Sequence, residues 1–284
     1  MNVLPRANDV LNINPPVGVD EALSLHGSDW LWAVTAIYAV SFFGLLVFCF
    51  VAPPSNRVFH YTFTMALLVG TATYYAQASD LGWSAVEQVN QLAQGSTRQI
   101  FYAKYINWVV AFPSFALSLG LLAGVSWTTI LSNVFLSWFW VLMYLAAAYT
   151  ATNYKWGFFA FGTFAWIILA MSTLNESHES ASTLGIGRDY MVFSGWLNFL
   201  WLLYPIAFGL SDGGNLISVT DSFIFFGILD LLMLPVLSFA FVILGRNWDF
   251  GKLNIAFSEY RGHRPGESLI KDDVPEVNDT ATSS

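Results

Sequence analysis

Long apolar runs alternate with short polar stretches along the whole chain. A helix that crosses a bilayer needs about 20 apolar residues. Seven stretches meet that length: Trp30–Ala52, Phe59–Ser79, Ile100–Ala123, Trp127–Tyr149, Trp156–Leu174, Tyr190–Leu210 and Ser222–Leu244. Turn-forming residues separate them, at Pro53-Pro54-Ser55-Asn56, at Ala123-Gly124 and at Ser211-Asp212-Gly213-Gly214. Leu81 to Gln99 is a longer polar connection with room to fold locally, and Asn175 to Asp189 reads as a polar loop. The pattern predicts an all-α membrane protein, a seven-transmembrane-helix bundle over 30–245. Residues 1–29 are a polar N-terminal segment without a basic leader, so the first span is expected to be a retained helix. Residues 246–284 form a tail rich in Asp, Glu, Ser and Thr from Pro265 onward, a composition that favours disorder.

Composition supports this picture. The chain is 56% hydrophobic and 11% charged, with a mean hydropathy of +0.55. A soluble domain carries about 25% charged residues. The net charge of −8 offers no basic footprint for nucleic acid. One cysteine, Cys49, excludes an intramolecular disulfide and fits a small core residue. Lys and Arg placement gives the orientation. With the N-terminus outside, the inner segments hold Arg57, Arg188, Arg246, Lys252, Arg261, Arg264 and Lys271, against Arg6, Arg98 and Lys155 outside. The sequons at Asn175 and Asn278 then face the cytoplasm and stay unmodified. Trp30, Trp32, Trp127 and Trp156 lie near span ends, as interfacial anchors do.

Two charged side chains sit deep in the spans, Lys104 and Asp230. A charge there costs about 2.5–3.5 kcal/mol on insertion scales, so it is paired or functional. Around them the third span reads Arg98-Gln-Ile-Phe-Tyr-Ala-Lys104-Tyr-Ile-Asn107-Trp108, with Pro113 five residues on. The sixth contains Trp201-Leu-Leu-Tyr204-Pro205, and the seventh Asp230-Leu-Leu-Met-Leu234-Pro235. These motifs, in this order, resemble the microbial rhodopsin family and its fungal opsin-related branch, the thirty-kilodalton heat-shock membrane protein group. The resemblance covers roughly residues 30–245.

The resemblance implies a microbial-rhodopsin-like fold and a retinal pocket lined by Tyr74, Trp108, Trp201, Tyr204, Phe208 and Leu234, with Tyr75 adding to the wall. It also marks departures where the family's chemistry occurs. Leu234 stands at the position of the retinal-binding lysine and has no amine to form a Schiff base. Asn107 replaces the proton acceptor, Ser118 the proton donor, and Lys104 the arginine. The pocket is thus vestigial, with no covalent retinal. A pumping core balances two cations against two aspartates; here Lys104 and Asp230 alone remain. The expectation is a buried or water-bridged Lys104–Asp230 pair on the extracellular side of the midplane, with Tyr204 donating to Asp230.

Other candidates carry less chemistry. Glu176, His178 and Glu179 cluster in a loop and read as solvated residues, not a metal site. Asp80, Asp212 and Asp221 sit at span ends and are expected in water. No Ser-His-Asp set, phosphate loop or His-Glu-x-x-His motif supports catalysis. The expected protein is a non-enzymatic, non-photochemical opsin relative of the plasma membrane, linked by resemblance to stress. Its partners would be the bilayer and other membrane proteins such as a proton pump, with homo-oligomers left open. Two alternatives stand beside it: a passive transporter or channel for protons, ions or small organic acids, and a sensor of a non-covalently bound apolar ligand.

Overall fold

The computed structural model describes residues 8–53 and 57–248. The Pro54-Ser55-Asn56 part of the first turn, Asn278 and the tail beyond 248 lie outside the described residues. A short helix α1 (Val10–Ile13) precedes α2 (Leu25–Val51), α3 (Val58–Ala78), α4 (Tyr102–Ala123), α5 (Trp127–Tyr149), α6 (Lys155–Met171), α7 (Ser177–Thr183), α8 (Gly187–Leu210) and α9 (Val219–Leu244). Six segments are long and apolar enough to cross a membrane, α6 and α7 counting as one continuous segment. The more polar α3 packs against α2, α4 and α9 and completes a seven-helix bundle.

Local chemistry sets the helix ends. Ser24, Ser126 and Ser218 cap α2, α5 and α9 by accepting from the backbone N–H of Gly27, Thr129 and Asp221. Gly124 ends α4 at φ +65°, a left-handed conformation that glycine adopts without steric cost. Pro113, Pro205 and Pro235 lie inside α4, α8 and α9, where tight neighbour packing tolerates a missing backbone donor. The bundle buries most of its membrane-depth polar side chains together with an apolar, aromatic core and leaves further apolar side chains facing outward. Phe43, Val47 and Phe50 of α2 and Phe161 and Phe164 of α6 are exposed on the outer surface, as hydrocarbon requires. Cys49 is buried beside Thr64, with Sγ and Oγ1 3.3 Å apart.

Of the two long polar connections, the first folds locally, as the sequence allows, and the second differs from the sequence expectation. Leu81 to Gln99 contains most of an antiparallel hairpin, β1 (Trp83–Glu87) paired with β2 (Thr97–Phe101). Asp20 staples it by accepting from the backbone N–H and hydroxyl groups of both Ser96 and Thr97. Those bonds, Ser96 first, hold the Asp20 carboxyl below its usual value. Asn175 to Asp189 is largely helical, because α6 continues through a π turn (Ser172–Glu176) into α7. Its register is fixed by polar contacts: Tyr190 donates to the Thr173 carbonyl at 2.8 Å and Ser180 to the Ala123 carbonyl at 2.7 Å. Glu176 accepts from Thr129 at 3.1 Å.

Candidate functional site

The bundle centre is organised around Asp230 on α9, which is 1% exposed. Tyr204 of α8 donates to its Oδ1 at 2.5 Å and Tyr74 of α3 to its Oδ2 at 2.5 Å. From α4, Trp108 Nε1 donates at 3.0 Å and Asn107 Nδ2 at 3.2 Å. Tyr38 of α2 donates to the Asp230 backbone carbonyl at 3.2 Å. Among the described residues, every hydrogen bond that the side chain accepts therefore comes from a neutral group. Several such bonds stabilise a carboxylate without a cation. Gly70 on α3 makes room for this arrangement, since a Cβ there would collide with the Tyr38 ring.

An aromatic box adjoins the carboxylate. Trp108 meets Tyr204 edge to face at 5.3 Å, and Phe112 packs against Trp108, Trp140, Trp201 and Tyr204. Phe208 lies farther along α8, against Tyr144 at 4.6 Å and Phe159 at 5.6 Å. Leu234, one turn along α9 from Asp230, is fully buried. Ser118 is buried on α4, and its hydroxyl has no hydrogen-bond partner among the described residues. Tyr75, expected in the wall, is 55% exposed and packs edge to face on Trp32. Adjacent helical positions diverge by about 100°, so Tyr74 and Tyr75 do not share a face.

The expected Lys104–Asp230 pair does not form. Lys104 Nζ instead lies 2.6 Å from Asp212 Oδ2, which also accepts from the Tyr105 hydroxyl at 2.7 Å. Asp212, expected in water, is 2% exposed. The reason is geometric. Lys104 sits in the first turn of α4, level with the polar turn that follows α8, and its long side chain reaches that turn. Phe226 of α9 lies beneath the ammonium at 4.5 Å. Burial pushes the Asp212 carboxyl up, but Lys104 and Arg98 outweigh that effect and hold it below its usual value.

The hairpin brings further charges to the same end. Arg98 on β2 is fully buried. Its Nη1 donates to Glu21 at 2.6 Å, Asn215 at 2.8 Å and the Ile217 carbonyl at 2.8 Å. Lys155 at the start of α6 is also buried and donates to the Asp212 backbone carbonyl at 3.1 Å. Asp80, also expected in water, is buried too and accepts from Gln99 at 2.6 Å, whereas Asp221 is exposed as expected. Burial raises the Asp80 carboxyl to about 6, against the lowering effect of the Gln99 bond. Sequence reading missed this layer because Arg98, Lys155, Asp80 and Asp212 all flank spans. The fold covers them with the hairpin and the N-terminal segment.

The family model described as bacteriorhodopsin-like protein matches residues 28–245. The opsin-like protein carO of Fusarium fujikuroi is 34% identical over 260 residues, covering 88% of this chain and 85% of that protein. The 30 kDa heat shock protein of Saccharomyces cerevisiae is 28% identical over 302 residues, covering 98% and 90%. Among solved structures, the light-driven proton pump LR (Mac) from Leptosphaeria maculans superposes with a TM-score of 0.76 at 26% identity, covering 80% of this chain and 99% of that one. The seven-helix bundle, the buried aspartate on its last helix and these matches agree: the chain belongs to the bacteriorhodopsin-like protein family.

Proposed function

We propose that this multipass membrane protein is a non-photochemical member of its family, unable to hold retinal as a Schiff base or to pump protons with light. The observation that carries the proposal is the pairing of Leu234 with Asp230. An aliphatic side chain occupies the position where the resemblance places the tethering amine. The nearby carboxylate is satisfied by Tyr204, Tyr74, Trp108 and Asn107, so the core retains no cation that a Schiff base would supply. The buried lysines among the described residues, Lys104 and Lys155, are both drawn to Asp212 at the hairpin end.

In this reading the protein is not an enzyme, lies in the plasma membrane with its N-terminus outside, and acts through other membrane proteins under stress. The similarity to a protein named as a heat shock protein supports the stress association. The plasma membrane is the expectation drawn from the resemblance, and the placement of Lys and Arg around the spans supports the orientation. A titration of purified protein with all-trans retinal tests the proposal. No red-shifted visible band is expected; a band that saturates at one retinal per chain would overturn it.

A further inference from the structure

A groove on the outer surface of the bundle has a polar end and an apolar end. The polar end is a cavity of about 650 Å³ between α7 and the start of α8, lined by His178, Ser182, Gly187 and Arg188 among others. The apolar end is a cavity of about 510 Å³ between α8 and α9. Gly195, Trp196 and Phe199 line it from α8, and Val236, Ala240 and Leu244 from α9. Val192 lines both cavities, so the two are continuous.

Helical spacing explains the shape. Arg188, Val192, Trp196 and Phe199 follow one another at steps of four, four and three residues, which puts them on one stripe of α8. Val236, Ala240 and Leu244 form the matching stripe of α9. The step from Arg188 to Phe199 rises about 16 Å, close to half of a hydrocarbon core about 30 Å thick. The groove therefore has the depth of one leaflet. Gly195 adds a notch to it. A Cβ there would meet only the Met191 sulfur, at 4.0 Å, so packing within the bundle does not call for a glycine. The missing side chain leaves room beside Trp196 and Phe199, which are 42% and 55% exposed.

Charge selects the occupant. Arg188 is exposed and makes no ion pair among the described residues. The carboxylate next to it, Asp189, accepts from Trp248 Nε1 at 3.1 Å, and neither Asp189 nor Glu179 lines the cavity. The polar end thus presents a guanidinium and an imidazole at the end of a membrane helix. The apolar end presents rings and aliphatic side chains at hydrocarbon depth.

We propose that this groove binds one anionic phospholipid, with its phosphate on Arg188 and His178 and one acyl chain lying between α8 and α9 along the notch at Gly195. In the orientation given above, the polar end lies in the cytoplasmic leaflet, where anionic lipids are concentrated. The site uses neither Asp230 nor Leu234, so it is independent of the retinal question.

The test uses the full chain purified in detergent and native mass spectrometry. Phosphatidylglycerol and phosphatidylcholine with the same palmitoyl and oleoyl chains are titrated separately. The unsubstituted protein should hold one phosphatidylglycerol saturably, about fivefold or more tighter than phosphatidylcholine, the factor that one cation contributes at a lipid surface. Arg188→Gln should bring phosphatidylglycerol down to the phosphatidylcholine level. Gly195→Leu, which fills the notch, should weaken both lipids. Gly157→Leu, the same change at an exposed glycine of α6 with open space around it, should weaken neither. Glycerol 3-phosphate, which carries the phosphate without chains, should not displace the lipid. Equal binding of the two lipids by the unsubstituted protein, or an undiminished preference in Arg188→Gln, overturns the proposal. So does displacement by glycerol 3-phosphate, which would mark a plain anion site, or a dimer that Gly195→Leu abolishes, which would give the groove to a second copy of the chain.

Discussion

Lys104 and Asp212 form a buried ion pair with Nζ and Oδ2 2.6 Å apart, while Asp230, at the bundle centre, is held among the described residues by neutral donors alone. The two acidic groups therefore answer differently to substitution. Removing one partner of a buried pair leaves the other charge stranded, at about 3–5 kcal/mol. Asp212→Asn should lower stability by that amount in detergent denaturation. Replacing both partners, as in Lys104→Met with Asp212→Leu, should recover most of the loss, because apolar substitutes for a whole buried pair are often neutral. A double variant as unstable as Asp212→Asn would argue against the pair.

The carboxyl of Asp80 gives a pH dependence of known sign. Burial raises it to about 6 in the folded protein, from 3.8. The folded state then binds the proton more tightly than the unfolded state. Its contribution is fully present below 3.8 and is lost as pH rises through about 6. Asp80→Asn keeps an acceptor for Gln99 and removes the buried charge. The variant should be more stable than the parent near neutral pH and indistinguishable from it in acid. Melting curves across that range check this; a variant less stable at neutral pH would contradict it.

Gly70 is needed for its lack of a side chain. A Cβ would drive into the Tyr38 ring and crowd Asn107 Oδ1 at 3.2 Å. Gly70→Ala should destabilise the bundle by about 1–3 kcal/mol through overpacking. Adding Tyr38→Leu should relieve the clash and restore part of the loss. Chemical denaturation of the single and double variants reads this as a coupling between the two sites.

Much of the fold was legible in the chain, and the limits have physical causes. The apolar runs located the membrane helices to within a few residues, apart from the polar continuation of α6 into α7, because hydrocarbon demands continuous apolar length. Tyr204 donating to Asp230 was anticipated from the motifs they occupy. The Lys104 partner was not. Asp212 lies in a Ser-Asp-Gly-Gly turn, and a turn normally implies water. Only the tertiary cover supplied by the β1–β2 hairpin and the Glu21–Arg98 contact takes it out of solvent. Tyr38, Tyr105, Phe112 and Trp140 likewise gave no local sign. Aromatics are common throughout this chain, and only the assembled bundle shows which of them face Asp230 and Asp212.

Leu234→Lys would return an amine to the bundle centre, one turn from Asp230 and on the same helical face. With Trp108, Trp201 and Tyr204 buried in the same bundle core, the variant is expected to form a red-shifted pigment with added retinal. Absorption spectroscopy checks this, and a colourless product would show that the aromatic box no longer admits the chromophore.

Borohydride reduction in the presence of retinal, followed by peptide mapping of the unsubstituted protein, bears most directly on the central claim. Reduction fixes any Schiff base as a stable retinyl amine. The predicted result is no retinyl adduct on α9 and none on Lys104, whose ammonium is committed to Asp212. A stoichiometric adduct on Lys104 or on any other lysine of the bundle would contradict the account.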